Sequence, residues 1–161
     1  INILNQEFMD KIMDRTEKAE LTVLCLIEKD GMYLLQNRVK DDWKGYALPG
    51  GHVEKDESFT DAVIREMQEE TGLIIQNPKL YGVKQFPGKN GRYVVLLYCC
   101  STFAGTLVSS DEGQMEWIRL EELGKIQTVN DLELLIKVMK SDELNEFDYA
   151  EKNGQWEPVI F

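Results

Sequence analysis

The strongest constraint in this 161-residue chain lies at residues 51–73, where a turn, a capping serine and a glycine stop frame a run that suits a helix. Ser58 followed three residues later by Asp61 is a helix-opening pair. Phe59, Ala62, Val63 and Met67 supply the apolar positions, and Gly72 offers a left-handed stop. On such a helix Glu66, Glu69 and Glu70 stand at i, i+3 and i+4, so three carboxylates share one side. Each like-charged pair costs an isolated helix about 0.2–0.5 kcal/mol, which a solvated face tolerates without any function. The same spacing builds an oxygen-rich site for a hard cation such as Mg²⁺, which keeps several waters free for substrate phosphates. Phosphoryl chemistry fits that site: the ion neutralises phosphate oxygens and lowers the pKa of an attacking water, with a spare carboxylate as general base.

The flanks read as a sheet. Residues 21–27 and 32–35 are β-rich on either side of the Lys29-Asp30-Gly31 turn, which predicts a hairpin. A loop through Asp41, Asp42, Trp43, Lys44 and Gly45 leads to the sharp turn at Pro49-Gly50-Gly51. Residues 80–86 and 93–103 read as strands parted by Pro87-Gly88-Lys89-Asn90-Gly91, and Glu116-Trp117-Ile118 as another. Leu132, Leu135, Ile136 and Met139 predict a second amphipathic helix, opened by Asn130 as cap with Glu133 three residues later. Leu4, Phe8, Ile12 and Met13 predict a helical arm within residues 1–20, suited to packing or to a homodimer contact. The acidic tail, 141–161, carries scattered aromatics and receives no assignment.

A chain of this length fits one domain, 1–161, burying roughly two-thirds of its unfolded surface. Its net charge of -11 would repel a nucleic acid, whereas a small nucleotide carried with Mg²⁺ is compatible with it. Cys25, Cys99 and Cys100 sit in apolar runs without metal or redox spacing, and no apolar stretch has the length of a membrane span. A cytoplasmic location is expected. Gly50-Gly51 is not a phosphate loop, since no Gly-Lys-Ser/Thr follows.

The residues Gly51, Glu57, Arg65, Glu66, Glu69, Glu70 and Gly72, with apolar Met67 short of the last two glutamates and Leu73 at the end, resemble the Nudix box at every specified position. Seven fixed positions coincide by chance on the order of 10⁻⁸ to 10⁻⁹ per start point. The resemblance implies an α/β/α sandwich with a mixed β-sheet and the box as a loop-helix-loop. It further implies Mg²⁺, with Mn²⁺ as the alternative, on Glu66, Glu69, Glu70 and the Gly50 carbonyl, and Glu57 and Arg65 as braces of the helix.

Weaker similarity extends to the MutT branch, which hydrolyses 8-oxo-dGTP to the monophosphate and pyrophosphate. Arg38 and Phe86-Pro87 match nucleotide-site residues there, Glu112 matches a further metal-binding or catalytic glutamate, and Asn130 matches an asparagine that reads the oxidised base. Trp43 is placed equally well for stacking on a base or covering the sheet edge. His52, at a variable position of the box, reads as structural. Three functions remain open: MutT-like hydrolysis, hydrolysis of ADP-ribose or nucleotide sugars, and a nucleotide-sensing module that binds without cleaving. For the second, a proline fifteen residues beyond the box is expected, and Pro87 falls at fourteen.

Overall fold

The computed structural model describes residues 15–39, 44–111 and 113–161. Strands β1 (Ala19–Lys29) and β2 (Met32–Arg38) form the expected hairpin, turning on Asp30 and Gly31. Both turn residues have positive φ, 52° and 73°, the geometry that matches strand twist in a two-residue turn. After β3 (Gly45–Ala47) and β4 (Gly50–His52) comes helix α1 (Phe59–Thr71). The Ser58 hydroxyl accepts from the Asp61 N–H at 3.0 Å, and Gly72 closes the helix at φ 73°, where a side chain would be strained. The start and stop of the helix thus follow from the residues that predicted them.

Strands β5 (Leu73–Ile75) and β8 (Phe103–Gly105) pair in a small separate ribbon. Between them β6 (Lys79–Gly88) and β7 (Gly91–Cys100) make a long antiparallel hairpin. The expected five-residue loop there shrinks to Lys89-Asn90, because Pro87 and Gly88 still pair with Arg92 and Gly91. Strand β9 (Gly113–Arg119), a 3₁₀ turn over Leu120–Lys125 and helix α2 (Leu132–Met139) follow. The tail folds as a hairpin of β10 (Glu146–Lys152) and β11 (Gln155–Ile160), turning on Asn153-Gly154.

The main sheet runs β11-β10-β6-β7-β1-β2-β3, with β4 also on β1 and β9 also on β2. It is mixed, since β1 pairs β7 and β10 pairs β6 in parallel while the other pairs are antiparallel. Alternation along β1 sends Val23, Cys25 and Ile27 toward Ala62, Val63 and Met67 of α1. It sends Leu26 to a second core with Leu132, Leu135 and Ile136 of α2 and with Phe147. Each fully buried side chain of this size contributes roughly 1.5–3 kcal/mol, so both helices are fixed by packing on opposite faces. This is the α/β/α arrangement.

Two expectations change on this frame, one wholly and one in part. Asn130 does not cap α2: the cap position falls to Asp131, in the left-handed region at φ 61° and with no side-chain cap hydrogen bond. The Asp131 carboxylate instead accepts from the Tyr149 hydroxyl at 2.7 Å, so tertiary contact overrides the local capping pattern. Of the helical arm expected over 1–20, residues 1–14 lie outside the described residues, and Ala19 and Glu20 already belong to β1. Among the described residues no helix is long and apolar enough to cross a membrane.

Candidate active site

Arg65 organises the carboxylates of α1. Its Nε and Nη2 donate to the two oxygens of Glu57 at 2.8 and 2.9 Å, a bidentate pair. Nη2 also donates to the His52 carbonyl at 2.9 Å, which ties the helix to β4. Nη1 reaches Glu66 Oε1 at 2.8 Å and Glu69 Oε2 at 3.1 Å. Glu57 in turn accepts the Glu54 N–H at 2.9 Å, so the loop before the helix closes on itself. Hydrogen bonds from Arg65, and then the one from the Glu54 backbone, hold the Glu57 carboxyl down at about 2. The guanidinium is correspondingly pushed up by Glu57 first and Glu66 second.

Glu70 meets the same strand from the next turn of the helix, accepting the Gly50 N–H at 2.9 Å. Gly50 and Gly51 have to be small for different reasons. A Cβ on Gly50 would overlap the Val23 carbonyl across the β1–β4 pair, and one on Gly51 would overlap the Glu66 carboxylate. The second case ties the box glycine to its glutamate sterically. Because the far end of a glutamate can swing away at little cost, Gly51→Ala is expected to melt near the parent temperature yet lose about tenfold in turnover, one misplaced group's worth. Unchanged turnover with an unchanged melt would show that the position of Glu66 does not matter.

The residues present fit a hard divalent cation in their donor chemistry: Glu66, Glu69, Glu70 and the Gly50 carbonyl offer only oxygen. Glu66 Oε1 is held by Arg65, and the described residues give Oε2 no hydrogen bond. The three side chains do not converge on a single ligand shell, since among the described residues no group of three acidic, histidine or cysteine side chains stands in metal-holding range. A cation would have to draw them together against Arg65, and Glu69, 60% exposed at its side chain, is the least confined of the carboxylates that Arg65 holds.

The structure brings a second set together on the α2 face. Phe86, Pro87, Asn130, Asp131, Tyr149 and Trp156 border a cleft of about 610 Å³. Phe86 stacks on Tyr93 at 5.0 Å and meets Tyr149 edge-on at 6.1 Å, and Tyr93 meets His52 edge-on at 6.4 Å. An aromatic path therefore runs from the cleft to β4, whose backbone faces the carboxylates. Crossing from β6 through β7 and β1 to β4 takes three strand spacings, about 14–15 Å, comparable to an extended nucleotide. The His52 ring itself is spent on Glu20, 2.6 Å away, in keeping with a structural role.

Arg38 is not part of this cleft. It borders a separate depression of about 450 Å³ with Asn37, Lys44, Tyr46 and Gln127. Trp43 and Glu112 lie outside the described residues. Tyr149, Asp131 and Trp156 escaped the sequence reading, although Asn153-Gly154 between two alternating runs is the strongest short hairpin signal available, and it places Tyr149 and Trp156 on neighbouring strands.

Comparison with known proteins agrees with this geometry. A family model for the NUDIX domain matches residues 18–137. A Bacillus subtilis protein named as an uncharacterised Nudix hydrolase, YvcI, is 37% identical over 99 residues, which cover 58% of this chain and 61% of the relative. The match thus spans about three fifths of that relative's length. A Methanocaldococcus jannaschii protein named ADP-ribose pyrophosphatase is 32% identical over 138 residues, covering 78% of this chain and 82% of its own. The crystal structure of a mutator MutT protein from Bacillus halodurans superposes with a TM-score of 0.72 at 23% identity, over 88% of this chain and 97% of that one, a likeness of fold. With the box complete, its helix set against a mixed sheet and the domain matched along most of its length, the chain belongs to the Nudix hydrolase family.

Proposed function

We propose that this Nudix hydrolase is a divalent-metal-dependent pyrophosphohydrolase of nucleoside triphosphates, acting as MutT does on 8-oxo-dGTP or a related nucleotide. The observation that carries this reading is the aromatic cleft with Asn130 at its border, opening on the sheet face that leads past Tyr93 and His52 to the carboxylate edge. A base held between Phe86 and the β10–β11 hairpin leaves the phosphates to reach α1.

Glu66, Glu69, Glu70 and the Gly50 carbonyl, with Glu112, are the residues that would hold Mg²⁺ or Mn²⁺. When bound, the ion supplies charge neutralisation at the phosphate oxygens and a more acidic water. Glu66 Oε2, unbonded while Arg65 holds Oε1, accepts the proton as water attacks the β-phosphorus in line. The bond from that phosphorus to the bridging oxygen breaks, giving the nucleoside monophosphate and pyrophosphate. Arg65 keeps Glu66 aligned through the step, because its other donors are fixed on Glu57 and the His52 carbonyl.

A second reading, hydrolysis of ADP-ribose, is favoured by the name of the Methanocaldococcus relative. Incubation with Mg²⁺ and a panel of 8-oxo-dGTP, dGTP, other triphosphates, ADP-ribose and nucleotide sugars, with products resolved by chromatography, separates the two. Monophosphate and pyrophosphate from a triphosphate are expected, and preferential cleavage of ADP-ribose would transfer the assignment to the second reading. Asn130 gives a finer check. Since it caps nothing, Asn130→Ala should escape the roughly 0.5–2 kcal/mol cost of a lost cap while eroding preference for 8-oxo-dGTP over dGTP by about tenfold. A lower melt with unchanged preference would return the residue to a structural role.

A further inference from the structure

Lys84 lies two residues before Phe86 on β6, on the same face of the strand. Its ammonium nitrogen is 4.8 Å from the centroid of Phe147, 5.3 Å from Tyr149 and 5.7 Å from Phe86. Three ring faces at such distances attract a cation, which explains how an ammonium is held here at all. The rings take up its charge but leave its three N–H donors unused. Among the described residues the Lys84 side chain makes neither an ion pair nor a hydrogen bond. Nor is the nitrogen sealed in, since the fully enclosed, unpartnered side-chain nitrogen or oxygen among those residues is Nε2 of Gln36. Two of its rings, Phe86 and Tyr149, are also walls of the cleft, which sets the ammonium beside it.

Burial pushes the Lys84 ammonium below the usual lysine range, and the nearby Asp131 carboxylate partly restores it. A half-buried cation with unused donors is costly unless something brings it oxygen. The flat aromatic walls favour a planar ring as the bearer of that oxygen. Asp131, held beside it by Tyr149, disfavours a second anion, so the acceptor is neutral and not a phosphate. An ammonium has donors only. It therefore welcomes a ring carbonyl and clashes, donor against donor, with an exocyclic amine at the same place.

Building on the nucleotide reading of the cleft, we propose that Lys84 is a specificity-determining residue whose ammonium donates a hydrogen bond to a carbonyl oxygen of the bound base, so that oxo-bases are taken over their amino counterparts. The test is kcat/KM, with Mg²⁺, for inosine triphosphate against ATP and for UTP against CTP, in the native protein and in Lys84→Met. The native protein should prefer the oxo member of each pair by about tenfold or more, and the variant by no more than about twofold, with the loss falling mainly on KM of the oxo substrate. If Lys84 only fills space, the variant weakens all four substrates in parallel and the ratios stand, which overturns the proposal. Should Lys84→Met fail to fold, binding of inosine monophosphate and AMP to the native protein by calorimetry must show the same oxo preference, and equal affinities overturn it. Cleavage of oxo and amino nucleotides alike removes only the role of Lys84. Absence of both cleavage and binding for every nucleotide removes the nucleotide reading itself, and this inference with it.

Discussion

Replacing Glu70 by glutamine is expected to lower turnover by roughly 10²–10³-fold while leaving the melting temperature nearly unchanged. The two effects separate because the side chain has two roles. As a hydrogen-bond acceptor it receives the Gly50 N–H at 2.9 Å, and the amide oxygen of glutamine can do the same. As a charge it belongs to the proposed site for a divalent ion, where such interactions are worth several kcal/mol in the transition state, and glutamine supplies none. Steady-state kinetics in Mg²⁺ alongside a thermal melt read both. Near-native turnover would withdraw Glu70 from the metal site, and a collapsed melt would show that the residue serves the fold instead.

Arg65→Met should cost activity and stability together, roughly 10–100-fold in turnover and several degrees in melting temperature. Five hydrogen bonds leave with one guanidinium: two to Glu57, one each to Glu66 and Glu69, and one to the His52 carbonyl. Solvent screens part of this network, since the Arg65 side chain is 24% exposed, which keeps the stability loss moderate. Acid unfolding supplies an independent reading. Glu57 is held down at about 2, below the value of about 4.3 expected for an unfolded chain. Its contribution is therefore fully present above about pH 4.3 and is lost as the pH falls through about 2. The native protein should lose stability across that window more steeply than Arg65→Met, in which the main cause of the depression is gone. Parallel acid profiles would mean that Arg65 and Glu57 are not coupled.

The α1 half of the site was legible because local chemistry dictates it. Ser58, Asp61 and Gly72 fix the ends of one helix, and the positions of Arg65, Glu66, Glu69 and Glu70 follow from 3.6 residues per turn, with Glu57 just ahead of the cap. The steric reason for Gly51 was not legible, since it depends on β4 lying against the Glu66 end of the helix. Asn130 reads as a cap because Asn-Asp-Leu-Glu satisfies a local rule that the Tyr149 hydroxyl, bonded to Asp131 from eighteen residues away, overrides. Lys84 resembles an ordinary strand lysine, and only the convergence of Phe147 and Tyr149 from a distant hairpin gives it a setting. Contacts between remote segments leave little trace in a window of neighbours.

The sheet that separates the two cores also separates two kinds of heritable change. Val23, Cys25 and Ile27 support the α1 side, while Leu26 and Phe147 support the side that carries Asn130 and Tyr149. A substitution that loosens the first core disturbs the groups assigned to bond cleavage, whereas one in the second reshapes the recess assigned to the base. Lineages can thus drift in what they accept while conserving how they cut it, one face of a strand at a time. A fold divided in this way would let one hydrolytic apparatus serve many diets.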